Sequence, residues 1–174
     1  MKTIACMLTS IFLSYGQAAI ADEFKKVQCG ADIPKALIGQ RSSNERIVTI
    51  ESRYRALGLK HLGADETSSQ LSSINWLICG TEFIVLQDRQ GLVRDAIPFP
   101  PHSKRSPAFS GYCQRNGQNL PDVMVGVLNG EASTDTLPVL SAWKIDLKRA
   151  KFIEAPTDGL RCPRSLIYTV DGGL

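Results

Sequence analysis

The chain has 174 residues, with 20 Lys and Arg against 17 Asp and Glu, for a net charge of +3. Charges of both signs are mixed along it and no basic block occurs, so nucleic acid and anionic membrane are not expected as partners. No segment after the first twenty residues is long and apolar enough to span roughly 30 Å of hydrocarbon, so no transmembrane segment is expected in the mature chain.

The first residues have the layout of a secretory leader. Lys2 precedes a mostly apolar run over Ile4–Leu13, and Ala19-Ile20-Ala21 supplies the small-x-small pattern read by signal peptidase. The expectation is a leader over residues 1–21, removed before Asp22. One globular domain over residues 22–174 then follows, located in the periplasm or the extracellular medium. Four cysteines remain in it: Cys29, Cys79, Cys113 and Cys162. An even number in an exported chain predicts two disulfides. Three pairings are open, and closing the chain ends favours Cys29 with Cys162 or Cys113. No CxxC occurs, so the cysteines do not predict a metal site.

In chain order, Asp32 caps a short predicted helix with Pro34 in its first turn and Gly39 at its end. Ser42 and Glu45 have capping-box spacing. Ile47, Ile50, Tyr54 and Leu57 then recur on one helical face, ended by Gly58. "LGADETSSQLSSI" reads as a second helical or turn-rich piece starting near Asp65. Strand signals begin at Ile74. Ile74, Trp76 and Ile78 alternate, "TEFIVLQ" is a buried run, and "LVRDAIPF" returns after "DRQG". Asn116-Gly117 marks a tight turn. "DVMVGVLN" places Val123, Val125 and Val127 on one face, and "VLSAWKID" and "KFIEAP" form a last hairpin. The tail from Thr157 reads as irregular and tied down by Cys162. Helices followed by strands predict a disulfide-stabilised α+β fold, with N-terminal helices packed on a mainly antiparallel sheet of about six strands.

Catalytic motifs are scarce. There is no GxSxG, GxGxxG, phosphate-binding glycine loop or HExxH. Only two histidines occur. His61 stands four residues before Asp65, with Glu66 beside it, but Gly63 intervenes and a surface histidine is the plainer reading. His102 has the chemistry of a general base near neutral pH if a serine or carboxylate approaches it. Paired carboxylates can be drawn from Glu51, Asp65, Glu66, Glu82, Asp88, Asp95 or Glu154, a set too ordinary to discriminate. Trp76 and Trp143 read as core or sheet-face residues. Asp171-Gly172-Gly173 reads as a turn, not a calcium loop. No cofactor or metal is expected.

The stretch "FPPHSKRSPAF" stands apart. Prolines 98, 100, 101 and 107 surround His102 and the adjacent pair Lys104-Arg105. Prolines stiffen a loop and cannot donate to a sheet ladder. His102, Lys104 and Arg105 are therefore the candidate binding residues of a small exported non-enzymatic module that binds, inhibits or associates with a protein or envelope partner. The alternative is a small hydrolase or metal-dependent enzyme built on His61 or His102 with nearby carboxylates.

Overall fold

A computed structural model describes residues 22–130 and 134–164. The leader expected over residues 1–21 and the turn expected at residues 171–173 lie outside the described residues.

The two helices are short. Helix α1 spans Ile33–Leu37, and the Asp32 carboxylate accepts from Lys35 N at 3.1 Å. Gly39 follows with φ 79°, a left-handed conformation that favours glycine. Helix α2 spans Ile47–Arg53 and is continued by a 3₁₀ turn at Arg55–Leu57, which Gly58 ends at φ 59°. The expected capping box does not form. The N-cap is Arg46, without a side-chain bond, and Ser42 Oγ instead accepts from Gln87 Nε2. Of the expected stripe, Ile50 is buried and Tyr54 and Leu57 pack against the core. Ile47 is 43% exposed, because the helix begins only there.

The expected α+β fold is overturned. The chain is mostly β, with nine strands among the described residues in two antiparallel sheets. Strands β1 (Lys60–Ser68), β2 (Leu71–Ile78), β3 (Thr81–Asp88) and β4 (Val93–Pro98) form a four-stranded meander. Strands β5 (Ala108–Arg115), β6 (Gln118–Leu128), β7 (Thr136–Asp146), β8 (Lys151–Glu154) and β9 (Leu160–Pro163) form the second sheet. There β6 pairs with both β5 and β7, and β9 bridges β5 and β7. Those four strands close into a small ring, and β8 hangs on the far half of β7.

The largest single correction is β1. The piece expected to be helical from Asp65 is a strand, paired with β2 from Lys60↔Leu77 to Ser68↔Leu71. Its sequence has no apolar stripe to bury as a helix, whereas β2 offers a complete ladder for its backbone. Register irregularities at His61/Gly63 and Glu66/Ser68, together with Lys60, Asp65 and Glu66, blunt this edge against further pairing. The tail is also more regular than expected. It contributes β9, whose four residues join two distant strands.

Strand β3 explains the layering. Phe83 and Val85 face the core beneath α1, α2 and the N-terminal segment, beside Phe24, Trp76 and Ile78. Ile84 and Leu86 face the other way, toward Val125, Val127, Ile145 and Phe152 of the second sheet. A strand covered on both faces reads as one continuous apolar run. The expected alternations are also present, with Trp76 and Ile78 in the first core, Ile74 packed against it, and Val125 and Val127 in the second. A third core, including Phe109, Met124, Leu128, Leu137, Leu160 and the Cys113–Cys162 pair, belongs wholly to the second sheet. Between the two sheets, the buried Asp95 carboxylate accepts from Phe152 N at 2.8 Å and Lys151 Nζ at 3.1 Å.

The disulfides are Cys29–Cys79 and Cys113–Cys162. The favoured long-range pairing of Cys29 with Cys162 or Cys113 is therefore wrong. Each bridge lies on one side of the crossing at residues 99–107, with Cys79 packed against the first core and Cys113 and Cys162 inside the third. Loops of this length give each bridge about 4 kcal/mol in a chain-entropy account.

The segment after Ala21 is docked by polar contacts as well as by Phe24. Asp22 accepts from Phe24 N, Arg53 and the Tyr54 hydroxyl, and Arg53 also grips Glu45. Burial first, then the Asp22 carboxylate, pushes the Tyr54 hydroxyl up to about 12. Glu23 is 4% exposed and accepts from Ser43 N at 2.9 Å. Burial raises its pKa above the usual carboxylate value, against the opposing effect of the amide hydrogen bonds. A folded state that holds this proton more tightly than the unfolded chain loses stability as pH rises through that raised value. Glu23→Gln keeps an acceptor for Ser43 and stays neutral. Its melting temperature should match wild type near pH 4 and exceed it at pH 7. A gap that does not change with pH would show that burial of the Glu23 charge is not what the site opposes.

Candidate functional site

The register of the β3–β4 hairpin sets up the site. Phe83 pairs with Pro98, so Phe99 arrives opposite Glu82 and its N–H donates to Glu82 O at 2.8 Å. Phe99 is buried, and prolines 100 and 101 carry the chain past the end of the ladder. The chain then folds back. His102 Nε2 lies 2.8 Å from Glu82 Oε2, and both side chains are only 15% exposed. The other carboxylate oxygen, Glu82 Oε1, accepts from Asn75 Nδ2 at 2.8 Å. The His102 ring stands edge-on to Phe99, with centroids 5.7 Å apart. His102 is thus a half-buried latch, not the exposed loop histidine its setting among prolines suggests.

Beyond the latch, four residues make a tight reversal. Ser103 N donates to Ser106 O at 3.0 Å, and Ser106 N donates back to Ser103 O at 3.1 Å. Ser103 Oγ also accepts from the N–H groups of Arg105 and Ser106, each at 3.2 Å. Lys104 and Arg105 occupy the exposed tip. The far side of the turn is seated on the end of β6. Gly130 N donates to Arg105 O at 2.8 Å and Leu128 N to Pro107 O at 2.9 Å. A Cβ at residue 130 would lie 2.4 Å from Arg105 O and 2.7 Å from Pro107 Cδ, so this seat requires glycine.

The structure therefore brings His102, Lys104 and Arg105 together in one anchored element. The residues missed from sequence are Glu82, Asn75 and Gly130. Glu82 stood only among ordinary carboxylates. Its partnership with His102 depends on the β3–β4 register, which places the end of one strand beside the start of the other.

His61 is elsewhere. It lies on β1 with its ring edge-on to Trp76 at 5.0 Å, and its backbone N–H, not the ring, donates to Glu51 Oε1 at 2.7 Å. Burial lowers its pKa below the ordinary histidine value, and Glu51 partly opposes this. His61 and Asp65 are four residues apart on a strand, not on a helix, which separates them by about 13 Å. Among the described residues no group of three His, Cys, Asp or Glu side chains is arranged to hold a metal ion. One cleft of about 370 Å³ is lined by residues including Asp65, Glu66, Asp88 and Arg89, and another of about 380 Å³ by Val48, Glu51, Arg55, Leu59 and Lys60. His102 lines neither.

No protein-family model matches this chain, and neither a curated protein nor a solved structure matches it. The functional reading therefore rests on the residues alone. The two disulfides fit an oxidising environment. Among the described residues no helix is long and apolar enough to cross a membrane.

Proposed function

We propose that this chain is an exported, non-enzymatic binding module that presents the Ser103–Ser106 turn to a protein or envelope partner. The observation that supports this is the double anchoring of an exposed basic tip, by His102 on Glu82 on one side and by Arg105 O on Gly130 N on the other. A loop held on a rigid scaffold loses little conformational freedom when it binds, and that saving goes into affinity. The leader expected from the sequence and the two disulfides support a location outside the cytoplasm, in the periplasm or the extracellular medium.

The test is affinity capture with the oxidised chain from its native surroundings, run beside Lys104→Ala/Arg105→Ala. Both side chains are exposed. The variant should keep the wild-type melting temperature within about 2–4 °C, since each exposed substitution costs up to about 0.5 kcal/mol. Capture should fall by about tenfold or more. Undiminished capture would remove the turn from the binding surface.

A second reading has one observation behind it, the His102–Glu82–Asn75 chain. A carboxylate on one imidazole nitrogen orients the ring and supports a general base. In that reading Glu82→Gln abolishes hydrolysis of an ester or peptide substrate while leaving partner capture intact, the reverse of what the binding reading expects of Lys104→Ala/Arg105→Ala.

A further inference from the structure

The two disulfides sit in contrasting surroundings. Cys113 and Cys162 are 1% and 0% exposed, inside the core of the second sheet. Cys29 lies in an exposed turn in which Gln28, Gly30 and Ala31 are also exposed. Its partner Cys79 is half-buried and occupies the first position of a two-residue turn, Cys79-Gly80, between the paired ends Ile78 and Thr81. That position takes φ 53°, a left-handed conformation in which cysteine is uncommon and disfavoured. Asn116 holds the corresponding position in the β5–β6 turn at φ 52°, and asparagine tolerates it. A cysteine kept at the strained position of a hairpin, joined to an exposed partner, is an outlier that points to chemistry.

We infer that Cys29–Cys79 is a thiol–disulfide exchange site for an external dithiol, while Cys113–Cys162 is a permanent structural bridge. The attacking thiolate meets the sulfur of the exposed residue Cys29 and forms a mixed disulfide, releasing Cys79 as a thiolate that takes a proton from water. The second thiol of the reductant then attacks the mixed disulfide and frees Cys29. Two electrons pass from the dithiol, which leaves as its own disulfide. Exposure sets which bridge is attacked, since the attacking sulfur must approach along the S–S axis.

The consequence is local. The bridge ties the N-terminal segment to the β2–β3 turn, and that segment supplies Phe24, Val27, Ile33 and Leu37 to the first core over Trp76, Ile78, Phe83 and Val85. Cys79 N also donates to Leu57 O at 2.7 Å, so the turn bears on the end of the 3₁₀ segment as well. Opening the bridge loosens the cover over one face of the first sheet and leaves the second sheet untouched.

The experiment treats the native oxidised chain with graded dithiothreitol, quenches with N-ethylmaleimide at intervals, and maps labelled cysteines by mass. Cys29 and Cys79 should be labelled at least about tenfold faster than Cys113 and Cys162. Hydrogen exchange on the partly reduced chain should show lost protection over residues 24–37 and unchanged protection over residues 108–128. Simultaneous opening of both bridges, or opening of Cys113–Cys162 first, would overturn the assignment. Selective opening with unchanged protection over residues 24–37 would overturn the release of the cover. Because labelling is read on the wild-type chain, the result does not depend on whether Cys29→Ser/Cys79→Ser folds.

Discussion

Gly126→Ala should be the most damaging single methyl group that can be added to the second sheet. Gly126 lies in β6, paired with Phe109 of β5 on one side and Ala142 of β7 on the other. A Cβ there would sit 2.0 Å from Ser141 O, 2.9 Å from Ala142 Cα and 2.9 Å from Phe109 Cε1. Two of the three atoms are backbone on a strand that closes the ring, so no side-chain rotation relieves the contact. Overpacking commonly costs 1–3 kcal/mol, and a clash with ladder backbone belongs at or above the top of that range, about 3 kcal/mol or more. For a chain of this size the melting temperature should fall by about 6–12 °C. A shift under about 2 °C would mean that β6 and β7 are not paired at this register. The glycine carries a sequence signal, since glycine inside an apolar strand often marks close backbone approach.

Local features were legible from sequence, and features set by distant pairing were not. The Asp32 cap, the Asn116-Gly117 turn, the apolar run of β3 and the valine face of β6 each depend on neighbours within a few residues. Strand β1 does not. Lys60–Ser68 is polar and contains Gly63, and only the ladder offered by β2 makes it a strand. The split into two sheets depends on β9 reaching both β5 and β7 and on the β6–β7 pairing, none of which has a local signature. The disulfide pairing follows from that split. Once residues 22–98 and 108–164 build separate sheets, Cys29 has Cys79 as its neighbour and Cys113 has Cys162.

At the candidate site the same division holds. Proline spacing and the adjacent Lys104-Arg105 pair marked an exposed, stiff element, and both residues are exposed. The anchors were hidden. Glu82 lies 20 residues before His102, and Gly130 lies 25 residues after Arg105 with the whole β5–β6 hairpin between them. The tight seat of Gly130 is made by Arg105 O and Pro107 Cδ, which no residue near Gly130 in the sequence signals.

The second large effect is expected at Gly130. Gly130→Ala leaves His102, Lys104 and Arg105 in place chemically but puts a methyl group 2.4 Å from Arg105 O and 2.7 Å from Pro107 Cδ. The turn must lift from the end of β6, losing the Gly130 N–Arg105 O bond. The ring strands are not in that contact, so stability should fall by no more than about 1–2 kcal/mol. A recognition element that binds through a fixed shape should lose about 1.4 kcal/mol or more of binding free energy, which is tenfold in Kd. The decisive measurement is therefore a titration of the captured partner against wild type and Gly130→Ala under conditions where both are folded. The account predicts at least tenfold weaker binding with every basic side chain still present. Equal affinity would contradict the claim that a rigidly seated turn is what the partner recognises.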